Sequence, residues 1–260
     1  MNKKSIVIIP ARLLSTRLPN KPLLKETGKF MIQYAYEAAC QSIADKVVIA
    51  TDDQSIVEAT TSFGGLAVLT KNTHLTGTDR IAEVASMFAD YEIIINLQGD
   101  EPEVQPENIN QLINIQNETN AFISTLCCLF QKDNYHSCAL PSTTKVALGN
   151  KLLNYKHEIR PALYFSRSLI PYYRINKQDL LSNNNYYLHL GIYGFSQQSL
   201  AQYIKLPAGN LENTESLEQL RALENGYQIL CGIVSSASAG IDTPQDYQNF
   251  VNRIKKNSNQ

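Results

Sequence analysis

Several common chemistries lack their signatures in this chain. There is no GxxxxGKS/T and no GxGxxG, so a P-loop kinase or an ordinary dinucleotide-binding dehydrogenase is poorly supported. Histidine is scarce: His74, His136, His157 and His189 are scattered without metal-ligand spacing, and a zinc site is not expected. Cys40, Cys127, Cys128, Cys138 and Cys231 are odd in number, contain no CxxC and mostly follow apolar neighbours. That is the pattern of reduced core thiols, not of a disulfide framework. No apolar run approaches the roughly 20 residues of a membrane span. The opening MNKKSIVIIPA has the basic start and apolar run of a secretion signal, but the run stops at Arg12 without a small-residue cleavage site, so cytoplasmic residence is expected. Charged residues are also few, 18% of the chain, below the roughly 25% of an average soluble protein. With Asn, Gln, Ser and Thr plentiful, the surface should be polar more than charged. Neither a repeat nor a linker rich in Pro, Gly or Ser interrupts the 260 residues, which are enough for a substantial core.

What is present is an α/β pattern. SIVIIPA (5–11), KVVIAT (46–51) and EIIINLQ (92–98) are nearly all apolar without alternation, as expected of strands covered on both faces of a parallel sheet, with GLAVLT (65–70) as a weaker fourth. Residues 30–43, 53–64 and 79–90 space their apolar side chains as amphipathic crossover helices, and Gly64-Gly65 suits a helix C-cap. Later, 122–130, 144–149, 189–195 and 227–234 read as strands, 177–187 as a polar connection, and 211–226 as one helix with Leu217, Leu220 and Leu223 inward. A final helix starts with Thr243, Pro244 and Asp246 at the N-cap, N1 and N3 positions. The reading is a single α/β domain over 1–260 with an antiparallel section inserted or appended in the middle.

Charge is distributed unevenly. The chain is −1 overall, yet residues 1–30 hold Lys3, Lys4, Arg12, Arg17, Lys21, Lys25 and Lys29 against Glu26 alone. A basic end on a slightly acidic body suits a compact polyanion better than a nucleic acid, which needs a broad basic face. In open parallel sheets ligands bind beyond the carboxyl ends of the strands, and three segments there stand out. Ala11 to Lys29 is long and basic, with Pro19 and Pro22 preventing regular structure; Gln98-Gly99-Asp100-Glu101-Pro102 follows a strong strand; Gly240-Ile241-Asp242-Thr243-Pro244 lies near the end. A basic loop with two acidic segments suggests a polyphosphate with a divalent cation. Each element has a plainer reading. The loop can be solvated surface, Asp100 a turn former, and Asp242 and Gly77-Thr78-Asp79-Arg80 helix caps. His189 can be a hydrogen-bonded core histidine, and Glu218 with Arg221 an i,i+3 surface pair.

Taken in order, IPARLLSTRLPNKPL (9–23), ATDD (50–53), TGTDR (76–80), NLQGDEP (96–102), ALYFSRSLIP (162–171), HLGIYGF (189–195), LEQLRALENG (217–226) and GIDTP (240–244) resemble the 3-deoxy-manno-octulosonate cytidylyltransferase family, the CMP-Kdo synthetases. The resemblance covers residues 5 to about 250. It implies a three-layer, mostly parallel Rossmann-like nucleotidyltransferase sheet, with an antiparallel section at about 150–195 for dimerisation and sugar binding. It further implies a cytoplasmic homodimer joining CTP to the eight-carbon acid sugar Kdo for lipopolysaccharide synthesis, with Mg²⁺ and without nucleic acid or membrane insertion. By the same resemblance Arg12, Arg17 and Lys21 bind the CTP phosphates, Gly77, Arg80 and Gln98 help position the nucleotide, and Asp100 and Asp242 hold Mg²⁺. Asp100, Asp242, Lys21 and Arg12 carry the catalysis. Gln98, Arg167, Arg174, His189, Tyr193, Glu218 and Gln219 surround the sugar acid. Two positions depart from the family pattern. Asn20 stands where relatives usually have Gly, and Leu188 where many have a basic residue, which keeps an 8-amino analogue of Kdo open as substrate. A different acid sugar as substrate and a non-catalytic nucleotide-binding regulator also stay open.

Overall fold

The computed structural model describes residues 3–13, 17–130, 138–172, 174, 186–238 and 240–258. The chain forms two compact units, one of Met1–Ile113 with Ser238–Gln260 and one of Asn114–Ala237.

The first unit is a parallel α/β layer. β1 (Ser5–Ala11), β2 (Lys46–Thr51), β3 (Ala67–Leu69) and β4 (Ile93–Asn96) lie in the order β3-β2-β1-β4, every pair parallel. Ile6, Val7, Ile8 and Ile9 are fully buried, which is why this run shows no polar alternation. β3 is the short outer strand and only half covered, matching its weaker pattern. The connections are α1 (Met31–Cys40), α2 (Gln54–Ser62) and α3 (Gly77–Met87). Asp53 caps α2 by accepting from the Ser55 amide at 2.8 Å. Gly64, at φ 79°, supplies the left-handed residue that follows the helix.

α4 (Pro106–Thr119) carries the chain onward. The sequence pattern does not announce this helix because Asn and Gln fill it, although Ile109, Leu112 and Ile113 are buried at helical spacing.

The second unit holds β5 (Ile123–Leu129), β6 (Lys145–Leu148), β7 (Ile159–Ser166), β8 (Tyr187–Ser196) and β9 (Ile229–Val234), with α5 (Gln197–Tyr203), α6 (Asn210–Glu215) and α7 (Leu220–Glu224). The strand order is β8-β5-β9-β7-β6, and β6 pairs again with β8, so the five strands run round to meet one another. Only β5 and β9 are parallel; the other pairings are antiparallel. Such closure leaves few free edges. β7 escapes the sequence reading because Pro161 lies within it.

The single helix expected over 211–226 is a correction. Ser216 takes a left-handed backbone at φ 51° and separates α6 from α7. Tertiary bonds override the helical pattern there: Arg167 donates through Nε to the Glu215 carbonyl at 2.7 Å and through Nη2 to the Ser216 carbonyl at 3.2 Å. Arg221 pairs with Glu212 through bonds of 2.8 and 2.6 Å. Residues 177–185 of the expected polar connection, and His136, lie outside the described residues.

α8 (Pro244–Ser258) returns the chain to the first unit. Its start is the expected box: Thr243 Oγ1 accepts from the Asp246 amide at 3.2 Å, and the Asp246 carboxylate accepts from the Thr243 amide at 2.9 Å. Cys127, Cys128, Cys138 and Cys231 are buried free thiols, as read from sequence, whereas Cys40 is exposed. Among the described residues no helix is long and apolar enough to cross a membrane.

Candidate active site

In the first unit an apolar anchor aims the basic loop. Leu18 is buried with Met31, Ile241, Tyr247, Phe250 and Val251, so one cluster fixes the loop, α8 and the segment before it. Asn20 then takes a left-handed backbone (φ 56°, ψ 25°) and leads into a short 3-10 turn at Lys21–Leu23. Opposite, Gly99 is required by a close approach: a Cβ there would come within 2.6 Å of Ile32 Cδ1 and 3.3 Å of the Pro10 carbonyl. That approach seats Asp100, whose carbonyl accepts from the Ile241 amide at 2.9 Å and so sets Asp242 beside it.

The result brings together the predicted cations and aspartates. Lys21 Nζ lies 2.8 Å from Asp100 Oδ2 and 3.3 Å from Asp242 Oδ1, and Arg17 Nη2 lies 3.3 Å from Asp242 Oδ1. They line a cleft of about 360 Å³ with Arg12 and Gln98. Gln98 donates to Asn96 Oδ1 at 2.9 Å. Arg12 donates to the carbonyls of His74 and Thr76, which ties the basic loop to the start of α3.

At that start Thr76 and Asp79 form a reciprocal capping box, each bond 3.1 Å, with Gly77 as the first helical residue. Arg80, on the inner face of α3, is fully buried. It donates to Asp52 at 2.6 Å and to the Thr70 hydroxyl, while its Nε–H has no partner among the described residues. Asp52 and Thr70 were not singled out as site residues, although Asp52 belongs to the quoted ATDD stretch. Glu101 was likewise missed. Burial beside the Asp100 charge pushes its carboxyl up to about 7, and it accepts from Ser238 Oγ at 3.2 Å. A second acid directly after Asp100 was the available signal.

The remaining candidates lie in the second unit. His189 is buried, with Nε2 3.0 Å from Thr125 Oγ1 and its ring edge-on to Phe165, centroids 4.8 Å apart. Thr125 donates to the Ile192 carbonyl at 2.8 Å, so the hydroxyl accepts from His189 Nε2–H. Burial pushes the His189 pKa down to about 3, keeping the ring neutral. Tyr193 packs 5.5 Å from it, ring to ring. Arg167 is spread over the carbonyls of Pro141, Glu215 and Ser216. Gln219 is buried, not on a solvated face, and its Nε2 lacks a hydrogen-bond partner among the described residues. Its neighbour Glu218 is half-buried and takes the Tyr203 hydroxyl on its carbonyl at 2.7 Å. Arg174 is exposed.

The family model described as Cytidylyltransferase matches residues 6–229. A 3-deoxy-manno-octulosonate cytidylyltransferase from Parabacteroides distasonis is 43% identical over 249 residues, covering 94% of this chain and 96% of its own. One from Fusobacterium nucleatum is 40% identical over 255 residues, covering 98% of each chain. The chain belongs to the 3-deoxy-manno-octulosonate cytidylyltransferase family. Among solved structures, a CMP:2-keto-3-deoxy-manno-octonic acid synthetase complexed with CTP matches with a TM-score of 0.85 and 38% identity, over 98% of this chain and 99% of that one.

Both departures from the pattern of this cytidylyltransferase family have a local account. Asn20 carries the left-handed backbone that Gly usually supplies. Leu188 packs on the apolar cluster of Phe130, Cys138 and Tyr186. The donor set also fits a hard divalent cation. A single positive group, the Lys21 ammonium, already reaches both Asp100 and Asp242, and two carboxylates leave coordination positions for phosphate oxygens and water. Among the described residues no cluster of three or more acidic, His or Cys side chains forms a full protein cage.

Proposed function

We propose that this chain joins CTP and Kdo, releasing pyrophosphate and giving CMP-Kdo for lipopolysaccharide synthesis. The observation that carries the reading is the placement of Lys21 between Asp100 and Asp242 at one cleft, in a chain similar over nearly its whole length to proteins of that name. The anomeric hydroxyl of the sugar attacks the α-phosphorus, the new O–P bond forms, and the bond to the pyrophosphate oxygen breaks in line.

Arg12, Arg17 and Lys21 bind the phosphate oxygens and offset the charge that grows on the departing pyrophosphate. Gly77, at the start of α3, and Arg80 shape the nucleotide end; Arg80 does so by holding Asp52 and Thr70 in place. Asp100 and Asp242 would hold Mg²⁺, which when bound lowers the pKa of the attacking hydroxyl and neutralises phosphate charge. No protein general base is then needed. Arg167 receives the sugar carboxylate, since a guanidinium fork matches a carboxylate's two oxygens. Gln219 offers the sugar a buried amide nitrogen that has no hydrogen-bond partner among the described residues.

The finer architecture belongs to the same reading: residues 1–260 as one three-layer, Rossmann-like catalytic domain, with about 150–195 as the dimerisation and sugar-binding section of a cytoplasmic homodimer. Leu153 and Leu163, 77% and 62% exposed in that section, support a covered apolar face.

The test is pyrophosphate release from CTP and Mg²⁺ with a panel of acid sugars. Release with Kdo is expected. Release only with 8-amino-Kdo, or only with a sialic or pseudaminic acid, replaces the substrate. CTP binding without release for any sugar leaves a nucleotide-binding regulator.

A further inference from the structure

Lys145 opens β6 and is fully buried. Its ammonium donates to the carbonyls of Leu140 at 3.0 Å, Thr143 at 2.6 Å and Arg167, which uses all three of its N–H groups. Arg167 is gripped from the other side by Glu215. The Arg167 amide donates to Glu215 Oε2 at 2.9 Å, and Ser166 Oγ to Oε1 at 2.6 Å. The guanidinium then spends Nε on the Glu215 carbonyl, one Nη1 hydrogen on Pro141 at 3.0 Å and one Nη2 hydrogen on Ser216. Among the described residues, five donors less three leaves one N–H on each terminal nitrogen, and a carboxylate can accept from such N–H groups.

The charge count points the same way. Lys145 and Arg167 bring two positive charges to this node and Glu215 one negative, so among the described residues one positive charge is uncompensated where Lys145 is out of water. Such a charge is costly unless an anion completes the set. The three carbonyls hold Lys145 in place but cannot neutralise it.

We propose that Lys145 and Glu215 are positioning residues for the acid sugar: they lock Arg167 and keep the node one charge positive, so that the substrate carboxylate completes it. The inference rests on the reading of Arg167 as carboxylate receptor and deepens it. It also explains the break at Ser216. Arg167 ends α6 there, which fixes where the chain restarts toward Glu218 and Gln219. A purely structural pin would stabilise the fold and leave substrate affinity alone.

Steady-state kinetics with CTP and Kdo, together with thermal melting and CTP binding, separate the two. Arg167→Ala should raise KM for the sugar by about 100-fold, and Lys145→Met and Glu215→Asp by about tenfold, with KM for CTP within about twofold of wild type. Glu215→Asp keeps the charge and shortens the side chain, so it carries the test if Lys145→Met does not fold. Lower melting with an unchanged sugar KM in the folded variants overturns the inference and leaves a pin. An unchanged sugar KM in Arg167→Ala removes the assignment of Arg167 and the inference with it, while pyrophosphate release by the wild type still upholds the reaction. No release by the wild type with any acid sugar removes the reaction itself.

Discussion

In the first unit the charged groups meet at the rim of a cleft, and in the second they are under cover. Arg17 and Asp242 leave 66% and 50% of their side chains in solvent, and Asp100 keeps 39%. Pairs of that kind are worth little and exchange partners readily. Arg17 can therefore leave Asp242 for a phosphate oxygen at small cost, while Lys21, with only 11% of its side chain exposed, stays seated between the two aspartates. Lys145 and His189 in the second unit are buried in fixed hydrogen bonds, and moving them would expose desolvated polar atoms. The first unit presents exchangeable charges at a cleft, and the second holds its polar groups in a fixed arrangement.

The largest effect expected from this contrast is on turnover. Asp100→Asn removes a half-exposed charge while the backbone bond from Ile241 persists, so the fold should survive and kcat should fall by about 10²- to 10³-fold. Near-normal pyrophosphate release, with an unchanged melting temperature, would break the assignment of the exposed aspartates to the chemistry.

Arg80 sharpens the comparison, since its guanidinium is fully buried inside the exchanging unit. Arg80→Met leaves Asp52 and the Thr70 hydroxyl without their partner. Because Asp52 stays one-fifth exposed and can regain water, the cost should lie near the low end for a broken buried pair, about 3 kcal/mol in urea unfolding. A loss below about 1 kcal/mol would place Arg80 with the rim pairs.

The same contrast explains what could be read from sequence. The first unit is legible because parallel strands buried on both faces write themselves as apolar runs, and because exchangeable charges must sit in loops, where Arg12, Arg17, Lys21, Asp100 and Asp242 stand out. The second unit is less so. Pro161 disguises β7, and the contacts that break 211–226 come from Arg167, far away in the chain. Lys145 in TKVALG looks like any lysine opening a strand. Only the return of β6 onto β8 puts it inside. The depth of His189 follows from that closure as well, since its amide donates to the Thr144 carbonyl at 2.9 Å, next to Lys145.

The smallest effect is a pair of opposed pH slopes, one in each unit. Burial holds His189 down to about 3, whereas a free imidazole titrates near 6.5. The unfolded chain therefore binds a proton that the folded chain refuses, and stability is lost as pH falls below about 6.5. Glu101 does the reverse. Its carboxyl is raised from 4.5 to about 7, so the folded chain keeps a proton that the unfolded chain has released, and that stability is lost as pH rises toward 7. Each slope is at most about 1.4 kcal/mol per pH unit, and the two oppose each other over the shared window. Relative to wild type, His189→Gln should make urea stability fall more steeply with rising pH between 4.5 and 6.5, and Glu101→Gln should make it rise more steeply. Equal slopes in all three proteins would mean that neither group is held away from water. If the units unfold in separate steps, each substitution should change the transition of its own unit, because the proton that matters is taken up or refused only where that side chain is buried.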